Sequence, residues 1–124
     1  MRERRPLKRV GVTEAQRLLD QEGVLVFDVR DKHVHDRGHI PGARHLSIIS
    51  LTQYFTGTPK DSPILIYCYH GYASQEYAQI FSDFGFLAVH SLDGGYDGWV
   101  QAELPVTKIE RSARKVTLSH GLQI

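Results

Sequence analysis

Residues 64–81, ILIYCYHGYASQEYAQIF, decide the fold class predicted for this chain. The apolar run Ile64–Tyr67 predicts a buried strand, and Gln75–Phe84 is typical of a helix. Between them, Cys68 is followed by a short loop that contains Gly71. A strand that runs into such a loop and then into a helix places several backbone N–H groups and the positive end of the helix around one point.

Cys68 is the only cysteine of the chain, and its position allows two interpretations. Positive dipoles at a helix N-terminus lower the pKa of a thiol from its reference value of about 8.5, which predicts a reactive thiolate. Alternatively, the side chain is a small apolar group that only fills space. The position at the end of a strand favours the reactive thiolate, because ligands of parallel sheets gather at that edge.

Strands and helices alternate along the rest of the chain. The further predicted strands are Lys8–Val12, Val24–Val29, Ala43–Leu46 and Phe86–Leu92. The predicted helices are Glu14–Asp20, Ser50–Phe55, Ser74–Phe84 and Tyr96–Ala102. This alternation predicts an α/β fold with a mostly parallel central sheet and helices on both faces.

Several local features refine this prediction. Thr13 is the predicted N-cap of the first helix, and Gln16 completes a capping-box pattern with it. The polar segment Asp31–Gly38 is assigned neither helix nor strand, and it leads into a turn-rich connector. Near the C-terminus, Val116–Leu118 could add a strand, or the segment could be an ordered tail.

Length and composition limit the classes of function. The 124 residues, 41% of them hydrophobic, suit one compact domain. A net charge of +1 gives no footprint for nucleic acid, and the basic run over residues 1–9 is short enough to be a solvated tail. We expect no membrane span, which needs about 20 apolar residues, and no signal peptide. A lone cysteine cannot form an internal disulfide, so we expect a reducing, cytoplasmic compartment.

Four blocks of the sequence, in this order and spacing, resemble the rhodanese (thiosulfate sulfurtransferase) family. They are Phe27–Arg30, Gly38–Ala43, Cys68–Ser74 and Leu92–Trp99. The chain is most similar to the short, single-domain bacterial members. The resemblance implies a rhodanese-like domain over residues 8–106, with a basic tail at 1–7 and an extension of unknown role at 107–124.

The resemblance also implies an activity: Cys68 takes sulfane sulfur from a small donor such as thiosulfate and holds it as a persulfide. The acceptor is cyanide or a thiol, including that of a thioredoxin-like or sulfur-relay protein, and no cofactor or metal is implied. The substrate-binding residues are then Arg30 and the loop residues Tyr69, His70, Gly71, Tyr72, Ala73 and Ser74. Asp28 supports Arg30, and these two residues could instead serve only as a structural ion pair. Ser74 could cap the following helix or donate its hydroxyl to the sulfur.

The sequence argues against several other functions and leaves one of them open. A phosphatase with a Cys-X5-Arg loop needs arginine at position 74, where this chain has serine. A non-catalytic regulatory domain of this family commonly lacks the cysteine. A persulfide carrier in a protein sulfur relay is not distinguished by sequence. A metal site at His33, His35 and His39 is not expected, because His39 belongs to the connector motif and no second cysteine is present.

The catalytic loop departs from the family pattern in its charge. Members often carry a basic residue just after the cysteine or late in the loop, where it would attract an anionic donor. Tyr69, Tyr72 and Ala73 occupy those places here. We therefore expect weak binding of a small dianion such as thiosulfate.

Overall fold

A five-stranded parallel sheet forms the centre of the structure, a computed structural model that describes residues 7–109 and 115–118. The strands are β1 (Lys8–Val10), β2 (Leu25–Asp28), β3 (Arg44–His45), β4 (Ile64–Tyr67) and β5 (Val89–Leu92). Their order across the sheet is β1-β5-β4-β2-β3, and every neighbouring pair is parallel. The prediction of an α/β fold with a parallel central sheet is confirmed.

Helices cover both faces of this sheet. They are α1 (Val12–Leu19), α2 (Lys32–Arg37), α3 (Ile48–Leu51), α4 (Ala73–Asp83) and α5 (Gly95–Gln101). Side chains alternate along β4, so Ile64 and Ile66 join the core under α4, whereas Leu65 and Tyr67 join the core that includes Trp99 of α5. All four are fully buried, which is why this strand is a continuous apolar run.

The start of α1 differs from the prediction. Gly11 is the N-cap residue, no side chain caps the helix, and Ala15 N–H donates to Gly11 O at 2.9 Å. The predicted Thr13 cap and its capping box with Gln16 are therefore wrong. Because the helix already begins at Val12, β1 ends at Val10 rather than at Val12.

Two short helices were difficult to predict from the sequence. The polar segment Asp31–Gly38 contains α2, whose residues lack the apolar spacing that predicts a helix. The predicted helix Ser50–Phe55 is α3, begun two residues earlier, followed by a 3-10 turn at Thr52–Tyr54. Ser47 sets the earlier start, because its hydroxyl accepts from Ser50 N–H at 3.2 Å.

The fifth strand is shorter than predicted. It begins at Val89 rather than at Phe86, because the preceding backbone donors have other partners. Phe86 N–H donates to Phe81 O at the end of α4, and Leu87 N–H donates to Lys60 O at 2.9 Å. The boundaries of β2, β3, α4 and α5 agree with the prediction to within one residue.

A two-stranded antiparallel sheet follows the parallel sheet. It pairs β6 (Val106–Ile109) with β7 (Lys115–Leu118), so of the two alternatives for Val116–Leu118 the structure has the strand. His39 and Thr107 exchange two backbone hydrogen bonds of 2.8 Å, which attach β6 to the connector that follows α2. The expected domain boundary at residue 106 thus falls at the first residue of β6.

Two further predictions concern the N-terminal tail and a membrane span. Apart from Leu7, the predicted basic tail at 1–7 lies outside the described residues. Over the ranges 7–109 and 115–118, no helix has the length and apolar character that a membrane crossing requires.

A buried carboxylate at the end of β2 joins several of these elements. Asp28 accepts hydrogen bonds from Arg30 Nη2 at 2.6 Å, from Tyr67 Oη at 3.0 Å and from His35 Nδ1 at 3.0 Å. The same Arg30 Nη2 donates to Gly38 O at 2.6 Å. The ion pair of Asp28 with Arg30, expected as one alternative, is therefore present and holds α2 and the connector onto β2 and β4.

The charge of Asp28 depends on this set of donors. Burial raises the pKa of the carboxyl group, but hydrogen bonds from His35 and Arg30 outweigh burial and lower the pKa to about 2. Asp28 is therefore ionised at neutral pH, and its contribution to stability depends on pH with a definite sign. The folded-state pKa lies below the unfolded value of about 3.9, so this stability is present above about pH 4 and is lost as the pH falls towards 2.

Replacement of this carboxylate tests its structural role. We expect Asp28→Asn to lower the free energy of unfolding at pH 7 by about 3–5 kcal/mol, because a buried guanidinium loses its ion-pair partner. Urea unfolding between pH 2 and pH 7 would measure this effect. The difference from the wild-type protein should shrink as the pH falls from about 4 to about 2.

Asp36→Asn is the matched control, since Asp36 forms an exposed pair with Lys32 at 2.5 Å. Such surface pairs contribute about 0–1 kcal/mol, so we expect a small effect. Equal unfolding free energies for Asp28→Asn and the wild-type protein at pH 7 would contradict the role of Asp28.

Candidate active site

The candidate site is the loop between β4 and α4. Cys68 is the first residue after β4, and the residue is 7% exposed. Its Sγ accepts a hydrogen bond from Gly71 N–H at 3.1 Å and lies 3.5 Å from Ser74 Oγ. The strand, the loop and the helix N-terminus thus converge on one sulfur atom, as the sequence predicts.

The pKa of the Cys68 thiol reflects two opposing effects. Burial raises it, as expected when charge moves away from water. Hydrogen bonds from the Ser74 hydroxyl and from the backbone N–H groups of Ser74, Gly71 and His70 lower it. The hydrogen bonds outweigh burial, so the pKa of Cys68 lies below its ordinary value and the thiolate is favoured.

The position of Ser74 in the structure excludes one of its two expected roles. Tyr72 is the N-cap residue of α4, and Ser74 lies within the first turn of the helix. The capping role is therefore wrong for Ser74. Its fully buried hydroxyl instead lies between Cys68 Sγ and Ser91 Oγ, with Ser91 Oγ at 2.8 Å.

The loop backbone is held from behind by α5. Tyr96 N–H donates to Cys68 O at 2.8 Å, and Asp97 N–H donates to Tyr69 O at 3.0 Å. The first amides of α5 therefore find their acceptors in the loop, which satisfies groups that a helix N-terminus otherwise leaves unpaired. This contact leaves the loop N–H groups available to the sulfur.

Two glycines make the close approach possible. Gly95 has φ +56°, and a Cβ there would lie 2.5 Å from both Cys68 O and Tyr69 O. Gly71 has φ +102°, and a Cβ there would lie 3.1 Å from Gly94 N and from Leu92 O. Only glycine adopts such backbone angles at low cost and also leaves this space open.

The side chains of the loop face outward rather than towards the sulfur. Tyr69 is 51% exposed and Tyr72 is 79% exposed, and His70 and Ala73 are exposed as well. The Tyr69 and His70 rings lie 4.5 Å apart between centroids. The loop therefore presents backbone donors to the sulfur and aromatic side chains to the surroundings.

Arg30 does not point freely into the loop. Its side chain is 6% exposed, paired with Asp28, and its guanidinium lies 3.9 Å above the centre of the Tyr96 ring. This stacking links the Asp28 cluster to α5, whose amides hold the loop. The geometry supports a structural role, and contact between Arg30 and a substrate stays a prediction.

The histidines considered as metal ligands have other surroundings. His35 bonds to Asp28, His39 Nδ1 lies 2.8 Å from His35 O, and His33 is exposed. The His35 and His39 rings stack with centroids 3.9 Å apart. In the described part of the chain, no three metal-ligating side chains are arranged to hold an ion.

Sequence reasoning missed three contributors to the site. Tyr96 contributes a backbone donor and the ring that covers Arg30, and Tyr67 contributes the hydroxyl that bonds to Asp28 and accepts from Ile40 N–H at 3.0 Å. The fourth motif block contained Tyr96 but did not indicate this contact. Ser91 lies inside a buried strand, and no local pattern separates it from any other small strand residue.

Comparison with known proteins agrees with this fold and loop. Residues 11–102 match the family described as Rhodanese-like domain, so the chain belongs to the rhodanese-like domain family. The solution structure of a rhodanese-like domain from an Anabaena protein superposes with a TM-score of 0.70. It covers 97% of this chain and 92% of that domain at 20% identity, which shows a common fold.

Within this family, the chain is similar to bacterial proteins named thiosulfate sulfurtransferase GlpE. It is 38% identical to that of Pseudoalteromonas translucida over 95 residues, which are 77% of this chain and 90% of the relative. It is 42% identical to that of Pseudomonas putida over 92 residues, or 74% of this chain and 84% of the relative. The resemblance to single-domain rhodaneses is confirmed.

The contact between the loop and α5 can be tested at Gly95. We expect Gly95→Ala to lower the free energy of unfolding by more than the roughly 1–2 kcal/mol that a left-handed backbone alone costs a residue with a side chain. The displaced loop should also lose donors to the sulfur, so the pKa of Cys68 should rise. Thermal unfolding and the pH dependence of Cys68 alkylation would measure the two effects.

Gly98→Ala provides the control on the same helix. A Cβ at Gly98 would meet only Asp93 O, at 3.8 Å. We expect unchanged alkylation and a gain of about 0.5–1 kcal/mol from helix propensity. If both alanine variants behaved alike, the close packing of the loop on α5 would not control the site.

Proposed function

We propose that this chain is a thiosulfate sulfurtransferase that carries sulfane sulfur as a persulfide on Cys68. The observation that carries the proposal is the convergence of loop donors on a buried sulfur at the carboxyl end of β4. The names of the bacterial relatives, which the chain matches over most of their length, support the same reaction. The proposed substrate-binding residues are Arg30 and the loop residues Tyr69, His70, Gly71, Tyr72, Ala73 and Ser74, and Asp28 supports Arg30.

The first step forms the persulfide. The Cys68 thiolate attacks the outer sulfur of thiosulfate, and a bond forms between Sγ and that sulfur. The sulfur–sulfur bond of thiosulfate breaks, and sulfite leaves with the bonding electron pair. The total charge of −3 is unchanged, because one thiolate and one dianion become one persulfide anion and one sulfite dianion. No proton and no external oxidant is needed.

The second step regenerates the thiolate. Cyanide or a thiolate acceptor attacks the terminal sulfur, takes it, and leaves the Sγ electron pair on Cys68. Because the enzyme alternates between thiolate and persulfide, ping-pong kinetics are expected. Gly71 N–H and the Ser74 hydroxyl lie at the sulfur before reaction, so they stabilise the anionic states without rearrangement.

The charges near the loop indicate how strongly the loop attracts a small dianion. Two arginines near the loop already have partners: Arg30 is paired with Asp28, and Arg9 donates to Asp93 at 2.8 Å. Thiosulfate is therefore attracted mainly by dipoles, which act only over a short range. We expect a high Michaelis constant for thiosulfate, with little electrostatic steering.

A persulfide carrier remains the second candidate function. Tyr69 and Tyr72 are exposed beside the catalytic cysteine, and exposed tyrosines are enriched in protein interfaces. In that case a protein persulfide would be the donor, and a protein thiol such as that of a thioredoxin-like or relay protein would be the acceptor. Retention of the cysteine argues against a purely regulatory domain. Either activity suits a reducing, cytoplasmic compartment, in which a free thiol persists.

The proposed function predicts a covalent intermediate. Incubation with thiosulfate should raise the intact mass by one sulfur atom, and cyanide should remove it and yield thiocyanate. Cys68→Ser should lose the mass increase and the turnover, because the hydroxyl is not ionised at neutral pH. Intact mass spectrometry and a thiocyanate assay would measure both.

Circular dichroism would establish that Cys68→Ser remains folded. Turnover of thiosulfate and cyanide by a folded Cys68→Ser protein would contradict the proposal. A wild-type protein that accepts sulfur from a protein persulfide but not from thiosulfate would favour the carrier function.

The missing loop cation gives a second prediction. We expect Tyr72→Arg to lower the Michaelis constant for thiosulfate about two- to fivefold at low salt, since an exposed charge contributes about 0.5–1 kcal/mol. The gain should fall as salt screens the new charge, and the cyanide step should change less. Two-substrate kinetics at low and high salt would measure these constants.

Leu87→Arg is the matched control, because it adds the same charge at an exposed position before the amino end of β5, whereas Cys68 follows the carboxyl end of β4. It should leave the thiosulfate constant unchanged. An equal effect of both substitutions would point to net charge rather than to loop charge.

A further inference from the structure

We propose that Ser91 is a positioning residue that directs the hydroxyl proton of Ser74 towards the sulfur of Cys68. The inference deepens the proposed function, because it assigns the orientation of one donor at the same site. It arises from a chain of three side chains, in which Ser91 Oγ lies 2.8 Å from Ser74 Oγ and Ser74 Oγ lies 3.5 Å from Cys68 Sγ.

The surroundings of the pair show that it is closed to water. Ser74 and Ser91 both have no exposed surface. Ser91 lies on β5 opposite Ile66 of β4, and Ser74 lies in the first turn of α4, which packs against these strands. Two hydroxyl groups buried between a helix and a sheet must satisfy each other or a neighbour, because an unmade hydrogen bond there is costly.

The direction of the hydrogen bonds follows from the number of protons. Each serine hydroxyl carries one proton, whereas a thiolate can only accept. When Cys68 is ionised, Ser74 therefore donates its one hydroxyl proton to Sγ. Its oxygen can then only accept a hydrogen bond from Ser91. The chain then runs from the Ser91 hydroxyl to the Ser74 hydroxyl to the sulfur, and each bond in such a chain strengthens the next.

The burial of the two serines indicates that they orient a hydrogen-bond donor and do not transport a proton. A proton shuttle must end at bulk water or at a group that exchanges with it, but Ser91 is as deeply buried as Ser74. Neither sulfur-transfer step consumes or releases a proton. The pair therefore fixes the direction of a donor, which is needed both for the thiolate and for the anion that attack on the persulfide restores.

The experiment measures the pH dependence of Cys68 alkylation by iodoacetamide in four proteins: wild type, Ser91→Ala, Ser74→Ala and the double variant. Ser91→Ala should raise the apparent pKa of Cys68 by about half to one pH unit, since an intramolecular hydrogen bond of this kind contributes that much. Ser74→Ala should raise it at least as far. In the Ser74→Ala background, Ser91→Ala should add almost nothing, because its effect passes through Ser74.

Ser82→Ala is the matched control, since Ser82 is a second buried serine of α4, eight residues beyond Ser74. It should leave the alkylation profile unchanged. If Ser91→Ala does not fold, Ser91→Cys replaces the hydroxyl by a weaker donor, and peptide-resolved alkylation of Cys68 should show a smaller shift in the same direction.

An unchanged alkylation profile in folded Ser91→Ala, or additive shifts in the double variant, would overturn the role of Ser91. The readout does not depend on sulfur transfer. Failure of the proposed function would appear instead as a wild-type protein with a lowered apparent pKa of Cys68 that forms no persulfide.

Discussion

The backbone contact between the loop that begins at Cys68 and the N-terminus of α5 is the constraint on which the candidate site depends. Two loop carbonyls, those of Cys68 and Tyr69, accept from the first amides of α5, and Gly95 leaves the space in which they lie. Because each peptide unit is planar, fixing these two carbonyls also fixes the N–H groups of Tyr69 and His70. Helix α5 thus acts at a distance from the sulfur, by orienting the loop that contacts it.

The fate of the Cys68 thiol is decided by a balance between two physical effects. Burial removes the sulfur from water and disfavours its anion, whereas the donors of His70, Gly71 and Ser74 favour the anion. The hydrogen-bond donors outweigh burial because they are in place before the proton leaves, so no reorganisation opposes ionisation. Asp28 follows the same rule on the other side of the sheet, where Arg30 and His35 keep a fully buried carboxylate ionised. Both anions lie at the carboxyl ends of neighbouring strands, β2 and β4.

Local sequence patterns predicted the parallel sheet and the position of Cys68 at the end of β4 well. An apolar strand, Cys68, a glycine loop and a helix former in succession encode the site within a few residues of chain, so a local pattern suffices. The pattern failed where distant residues decide the structure. Helix α2 is polar and takes its place from the contact of His35 with Asp28, and Ser91 approaches Ser74 only because β5 pairs with β4. The Thr13 cap failed because Gly11 begins the helix earlier.

The arrangement separates the groups that donate hydrogen bonds to the sulfur from the exposed side chains of the loop. In the described part of the chain, the sulfur is hydrogen-bonded to backbone amides and to a buried hydroxyl, whereas Tyr69 and Tyr72 extend outward. Outward side chains can differ between proteins without moving the backbone donors that surround the sulfur. It follows that the electrostatics of Cys68 are set by the fold, through Gly71, Gly95 and the buried serines. Under the proposed function, we expect the exposed side chains of Tyr69 and Tyr72, rather than the fold, to select the sulfur donor and acceptor.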